Sequence, residues 1–213
     1  MHSWLFGVIR IITIGREYGS GGGTIASILA RRLGWKLIDD SLIAHVAETA
    51  KTSPEAVQAR DESVDPWFHR IMKALWRGGF VGAVTRSESE PCDSETVARL
   101  WNRVILEAAE LGNCVTVGRG GQCLLQTRDD AFHVYVYAPM ADRVKRLRHR
   151  EPRGTDLQSA ALNRDQRRSA YMRHYFNAEW TNPHLYHMMI CSGIGLEKSA
   201  DTILEAAGLL VHK

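Results

Sequence analysis

Cysteine is scarce in this chain and follows no pattern. Cys92, Cys114, Cys123 and Cys191 are four among 213 residues, scattered and without metal-ligand spacing. Cys114 and Cys191 sit in apolar runs and read as small buried hydrophobes. No disulfide framework is indicated, which fits a reducing compartment. The nine histidines form no His-x-x-x-His pair and no pairing with carboxylates, so no protein-ligated metal site is expected. Long apolar runs are missing too. Trp4–Ile14 is interrupted by Arg10, is too short to span a bilayer, and has neither a basic leader nor a small-residue cleavage site. No targeting or membrane segment is expected, and the location read from these features is the cytoplasm. Repeats and low-complexity tracts are absent. A strong charge of one sign is absent as well: the net charge of +3 and pI near 8.7 call for no nucleic-acid partner.

What the chain does have is enough apolar material for one domain with a sizeable core, 45% of its residues, and room for a small inserted lobe. Its charge is also unevenly placed. Between Arg143 and Arg173 ten Lys/Arg face three acids (Glu151, Asp156, Asp165), a local +7 that leaves −4 for the rest of a chain of net +3. One basic segment on an otherwise acidic protein suggests a dedicated site for an anion.

The β-branched run Val8–Ile14 reads as a first strand. A glycine-rich loop follows over Gly15–Gly23. Ile25, Ile28, Leu29 and Leu33 then recur at helical spacing until Gly34. Further strands are expected at 36–39, 114–117, 132–137 and 187–191. Helices are expected at 42–52, 66–76, 95–111, 141–149, 162–176 and 196–207. Ser53-Pro54-Glu55 marks another helix start, with Ser as N-cap and Pro at the first helical position, while Gly78-Gly79 and 87–93 read as loops. Strands alternating with helices give a mainly parallel sheet covered on both faces. Ligands of such sheets sit at the carboxyl ends of the strands, so the loops after Ile14, Ile38, Val117 and Tyr137 are the places to look.

A phosphate needs several backbone N–H groups aimed at one point. Glycine lets the backbone curl that tightly, and the helix that follows adds its positive end. Strand, glycine-rich loop and helix occur here in that order. Set against G-x-x-x-x-G-K-[ST], Gly22 takes the second glycine, Gly23 the lysine position and Thr24 the hydroxyl, while Glu17 falls on the first glycine. Gly19-x-Gly21 with Asp39 about twenty residues on also meets part of the dinucleotide fingerprint of an oxidoreductase. Thr24 stands where its third Gly or Ala belongs, and four residues separate the strand from Gly19, which favours the phosphate cradle.

The run Ile12-Thr13-Ile14-Gly15-Arg16-Glu17-Tyr18-Gly19-Ser20-Gly21-Gly22 resembles the opening of the cytidylate-kinase-like family of P-loop nucleoside-monophosphate kinases. That family commonly has a non-lysine residue after its REYGSGG. Leu37-Ile38-Asp39 is similar to the end of its second strand, and Val117-Gly118-Arg119-Gly120 to a segment that is Gly-Arg-Asp in true cytidylate kinases. Asp165-Gln166-Arg167-Arg168 with Tyr171, then Trp180 and Tyr186, resembles the lid and the segment after it. The likeness covers most of the chain and is thin over residues 53–110.

The resemblance implies a three-layer α/β P-loop fold with a five-stranded parallel sheet. The core would comprise residues 1–40, 95–145 and 185–213, a helical insert that binds the monophosphate about 41–94, and a basic lid about 146–180. It implies ATP and Mg²⁺, with a nucleotide as acceptor. Gly19, Ser20, Gly21, Gly22, Gly23 and Thr24 would bind phosphate, with the Thr24 hydroxyl on the metal through the nucleotide. Arg119, Arg164, Arg167 and Arg168 would supply charge for phosphoryl transfer, and Arg16 is the residue that could replace the missing lysine. Asp39, Asp40, Ser41, His45 and Arg119 would meet the acceptor. His45 stands in place of an arginine that contacts the acceptor phosphate in true cytidylate kinases. An aspartate ending a strand is equally a helix N-cap, and for Asp40 the two readings stand level. Trp67, Trp76, Trp101 and Trp180 read as packing. Two other functions stay open: a non-catalytic nucleotide binder, because Gly23 replaces lysine, and a nucleic-acid binder using Tyr171, Tyr175 and Phe176 beside the basic segment. The oligomeric state is left open.

Overall fold

A computed structural model describes residues 8–50, 66–77 and 94–209. The expected helix start at 53–55 and the loops at 78–79 and 87–93 lie outside the described residues, as does Cys92. Five strands form one sheet: β1 (Ile11–Arg16), β2 (Lys36–Ile38), β3 (Cys114–Val117), β4 (Ala131–Tyr137) and β5 (Met188–Cys191), in the order β2-β3-β1-β4-β5. β1 pairs parallel with β3 and β4, and β4 with β5, so β1 lies at the centre. In a dinucleotide-binding sheet the second strand adjoins the first. Here β3 lies between them, and the oxidoreductase reading does not fit.

Alternation along the strands gives each face its own core. Ile12 and Ile14 of β1, Val115 and Val117 of β3, and Phe132, Val134 and Val136 of β4 bury one face. They pack under Ile25 and Leu29 of helix α1 (Gly22–Leu33) and under residues of the last helix, Leu196–Ala206. Tyr135 points to the opposite face, where it packs with Met172, Trp180 and Tyr186. Trp180 meets the Tyr135 ring edge-on with centroids 5.5 Å apart, so it is a packing residue. Tyr171 and Phe176 pack against the same cluster, which takes two of the three aromatics proposed to stack on nucleic acid into the protein's own structure.

The chain divides into two compact units, residues 1–37 with 113–213, and residues 38–112. In the second, helices α2 (Asp40–Ala50), α3 (Pro66–Arg77) and α4 (Ser94–Leu111) pack together. Buried side chains of these helices include Ile43, Val46, Phe68, Ile71, Met72, Leu75, Trp101, Val104 and Ile105. This unit takes in Ser94–Leu111, which the family resemblance places in the core. In the first unit follow α5 (Gly121–Leu124), α6 (Met140–Leu147), α7 (Leu157–Phe176) and α8 (Leu196–Ala206). Helix α7 starts five residues before the expected Leu162. Asp156 caps it, its side chain accepting from the amides of Gln158 at 3.1 Å and Ser159 at 3.2 Å, and no apolar period announces that first turn.

On the Tyr135 side of the sheet a polar stripe crosses the strands. Thr13 is in register with Thr116 and with His133. The Thr13 hydroxyl lies 2.8 Å from His133 Nδ1, and the His187 ring stacks on His133 with centroids 4.8 Å apart. Burial, followed by the neighbouring His187, pushes the His133 pKa down to about 4 from an ordinary 6.5. The folded state therefore resists protonation that the unfolded chain accepts. Stability is full above pH 6.5 and is lost as the pH falls from 6.5 towards 4, by up to about 3 kcal/mol from this residue. Urea unfolding at pH 7.5, 6, 5 and 4.5 should show that decline, and His133→Gln should flatten it.

Candidate functional site

The glycine-rich loop Glu17–Gly21 joins β1, the central strand, to α1. Gly21 is the N-cap of α1, with φ 83° in the left-handed region, and no side chain caps the helix. The first-turn amides of an α-helix have no partner within it. Those of Gly22, Gly23 and Thr24 thus form a positive end that fits an anionic ligand. Gly23 opens onto free space, with no atom within 4 Å of where a Cβ would stand.

The loop carbonyls are turned the other way and held by arginines of α6. Arg143 Nε donates to the Tyr18 carbonyl at 2.8 Å. Arg146 Nη1 donates to the carbonyl of Ser20 at 3.1 Å and of Gly19 at 3.4 Å. It also reaches the Ser192 hydroxyl at 3.2 Å, and that hydroxyl donates to the Ser20 carbonyl at 2.5 Å. Arg143 is only 4% exposed. Its charge is met by Asp165 of α7 and by Glu17, whose Oε2 is 3.5 Å away. Glu17 also accepts from the Ala138 amide at 3.0 Å, and Asp165 accepts from the Tyr18 amide at 2.8 Å.

Tyr18 joins the loop to the basic segment. Arg164 lies over its ring at 5.3 Å and Arg168 at 5.5 Å, while its hydroxyl donates to Glu151. Partial burial and then Glu151 raise its pKa. Arg168 also donates to Asp165 at 3.1 Å and to the Arg16 carbonyl at 3.4 Å. Arg167, on the same helix, is exposed.

Arg119 follows β3 with φ 57°, a conformation a side chain adopts at a cost of about 1 kcal/mol. It sits between two glycines, with its guanidinium 5.7 Å from the centre of the Tyr171 ring. The structure thus gathers Arg16, Arg119, Arg164 and Arg168 with the loop at the carboxyl ends of β1 and β3.

Asp39, Asp40, Ser41 and His45 belong to the second unit and are described within it. Asp39, not Asp40, caps α2. Its Oδ1 accepts from the amides of Ser41 and Leu42, both at 3.1 Å, and from the Ser41 hydroxyl at 2.6 Å. Asp40 is the first residue of that helix. His45 is exposed and packs its ring 4.8 Å from that of Phe68.

The profile of the cytidylate kinase-like family matches residues 11–194. The chain belongs to that family. It is 32% identical over 105 residues to a cytidylate kinase of Pseudomonas fluorescens, covering 44% of this chain and 46% of that one. It is 35% identical over 81 residues to a cytidylate kinase of Azotobacter vinelandii, covering 38% and 32%. The matches thus span less than half the length of these curated relatives. Among solved structures, an uncharacterized protein from Eubacterium ventriosum superposes with a TM-score of 0.66 at 20% identity over 93% of this chain and 98% of its own. A shikimate kinase from Bacteroides thetaiotaomicron superposes with a TM-score of 0.54 at 15% identity over 93% and 98%. At these identities the likeness is one of fold. No helix among the described residues of this family member is long and apolar enough to cross a membrane.

Sequence reasoning missed Arg143, Arg146 and Glu17. The basic segment was legible as a block, but nothing in it separates arginines turned inward onto loop carbonyls from those open to an anion. Asp165→Ala should show the difference. It leaves the Arg143 charge buried with only Glu17 beside it, at a cost of about 3 kcal/mol or more in urea unfolding. Arg143→Met combined with Asp165→Leu, which removes both charges, should recover most of that loss.

Proposed function

We propose that this chain transfers the γ-phosphoryl group of ATP to a nucleoside monophosphate, CMP or a relative. The observation that carries the reading is the polarity of the loop. Its carbonyls are tied back by Arg143 and Arg146, and the first-turn amides of α1 open onto a space bordered by further arginines. Membership in the cytidylate kinase-like family supports it.

Phosphoryl transfer is mainly positioning and charge stabilisation. The α1 amides would hold the donor phosphates, and the hydroxyl of Thr24, in the first turn, would take the divalent cation carried in with the nucleotide. That cation neutralises charge on the phosphate oxygens. Arg119 would orient the acceptor phosphate, and Arg164 and Arg168, seated on Tyr18, would stabilise the charge of the transferring group. Exposed Arg167 would complete that set when the donor is bound. An acceptor phosphate oxygen bonds to the γ-phosphorus as the bond to the β–γ bridging oxygen breaks. Asp39, Asp40, Ser41 and His45 would face the acceptor nucleoside. With Asp39 Oδ1 engaged in capping α2, the exposed Ser41 and His45 are the more available groups.

One observation favours a second reading, a nucleotide binder without transfer: no lysine stands anywhere in Gly15–Thr24. Coupled-assay turnover of Mg-ATP with a panel of nucleoside monophosphates decides between them. The kinase reading expects turnover on CMP or a close relative, lowered about 100-fold or more in Arg119→Gly. That variant should stay within about 1 kcal/mol of wild-type stability, since relief of the left-handed side chain offsets the lost contact with Tyr171. Silence across the panel with ATP still binding in calorimetry would leave the binder.

A further inference from the structure

In G-x-x-x-x-G-K the second glycine stands at the turn into the helix, where a positive φ costs glycine nothing. That residue is Gly21, whose φ is 83°, whereas Gly22 and Gly23 lie inside α1. The motif therefore runs one residue earlier than the sequence suggests. Thr24 then stands one residue beyond the motif's hydroxyl position, still in the first turn of α1. The motif's lysine position is Gly22, not Gly23, and its first glycine position is Arg16, not Glu17.

These two positions face each other. A Cβ on Gly22 would stand 2.6 Å from Arg16 Cβ and 3.0 Å from Arg16 Cγ. The space into which a side chain at residue 22 would start is filled by the arginine. From there Arg16 runs to the turn after β3, where a Cβ on Gly118 would lie 1.7 Å from Arg16 Nη1. Its guanidinium is thus laid against the backbone between the start of α1 and Arg119. Gly22 is compelled by this side chain, whose stem it clears, while Gly118, with φ 75°, is favoured by its own backbone and also leaves room for the head.

We infer that Arg16 and Gly22 are an exchanged pair. The glycine and the cation of the phosphate loop have traded places, and Arg16 is the group that contacts the β- and γ-phosphates of the donor nucleotide. This rests on the reading of the chain as an ATP-dependent kinase for the identity of the ligand, but not for the exclusion between the two side chains. An arginine brings a planar fork of donors where a lysine would bring a point charge. The site then holds its phosphates by paired hydrogen bonds rather than by one ammonium.

Two measurements test it. The first is steric and needs no ligand. Gly22→Ala should lower the melting temperature in the wild-type background and raise it in an Arg16→Gly background, because alanine is the better helix former once the arginine is gone. The second is calorimetric titration of Mg-ATP, Mg-ADP and AMP. Arg16→Ala should weaken ATP and ADP at least tenfold and leave AMP unchanged, and Arg16→Gly with Gly22→Lys should return ATP affinity to within about threefold of wild type. If no monophosphate is phosphorylated while this binding pattern holds, the kinase reading falls and the exchange stands. If Arg16→Ala binds ATP as the wild type does, or if Gly22→Ala has the same sign in both backgrounds, the exchange is wrong whatever the enzyme does. Failure of the wild type to bind ATP would overturn both.

Discussion

A peptide group has two ends, and a loop cannot offer its N–H groups to an anion unless its carbonyls are satisfied elsewhere. That constraint organises the first compact unit. The carbonyls of Tyr18, Gly19 and Ser20 turn away from the open end of α1 and need donors in a partly buried place. Arg143 and Arg146 provide them. A buried guanidinium then needs anions of its own, and Glu17 and Asp165 supply these. Asp165 closes the circuit by accepting from the amide of Tyr18. Arg146 carries the same support on to Ser192, in the turn before α8. The loop, α6, α7 and the β5–α8 turn are thus held by one chain of charge-assisted hydrogen bonds, and the loop is organised before any ligand arrives.

The basic segment consequently has two populations. Arg143 and Arg146 face inward and act as structural donors. Arg168 lies on the ring of Tyr18 and is also paired with Asp165, whereas at Arg164 stacking on that ring holds the guanidinium without neutralising it. An arginine held this way keeps its charge available and has already lost much of the rotamer freedom that binding would otherwise cost. Tyr18 therefore does for Arg164 what Asp165 does for Arg143, by a means that leaves the field positive. A local charge of +7 read from the sequence, which already counts Asp165, overstates what a ligand would meet, because Arg143 and Arg146 are turned inward and Glu17 stands against Arg143.

Local features were legible in the sequence. The strand at Cys114–Val117 and the helix closing at Gly34 follow from β-branched runs and a left-handed glycine. The loop after Ile14 does lead into the open helix end on which the proposed site is built. What was not legible depends on pairs distant in the chain. Nothing near Arg143 announces Asp165 or the carbonyl of Tyr18. Nothing near Ser94–Leu111 says that it packs with α2 and α3. At Asp39-Asp40 two adjacent aspartates offer the same cap, and only the path of the backbone out of β2 chooses Asp39. The start of α7 was missed because a capping aspartate leads into a first turn with no apolar stripe.

Three consecutive glycines show the same limit from another side. A pattern match treats Gly21, Gly22 and Gly23 as equivalent and aligns whichever set keeps the hydroxyl of Thr24 in step. Their surroundings are unlike. Gly21 is required by the backbone, since its φ is 83°. Gly22 is required by a neighbour, since Arg16 fills the volume a Cβ would need. Gly23 is required by neither, for its conformation is helical and no atom stands within 4 Å of its missing side chain. A glycine in a first helical turn gives up about 1 kcal/mol relative to alanine. Packing offsets that at Gly22, where alanine would cost more. It does not do so at Gly23, the residue that looks out over the open end of the helix, where bareness suits the proposed approach of a phosphate to the amides beneath it.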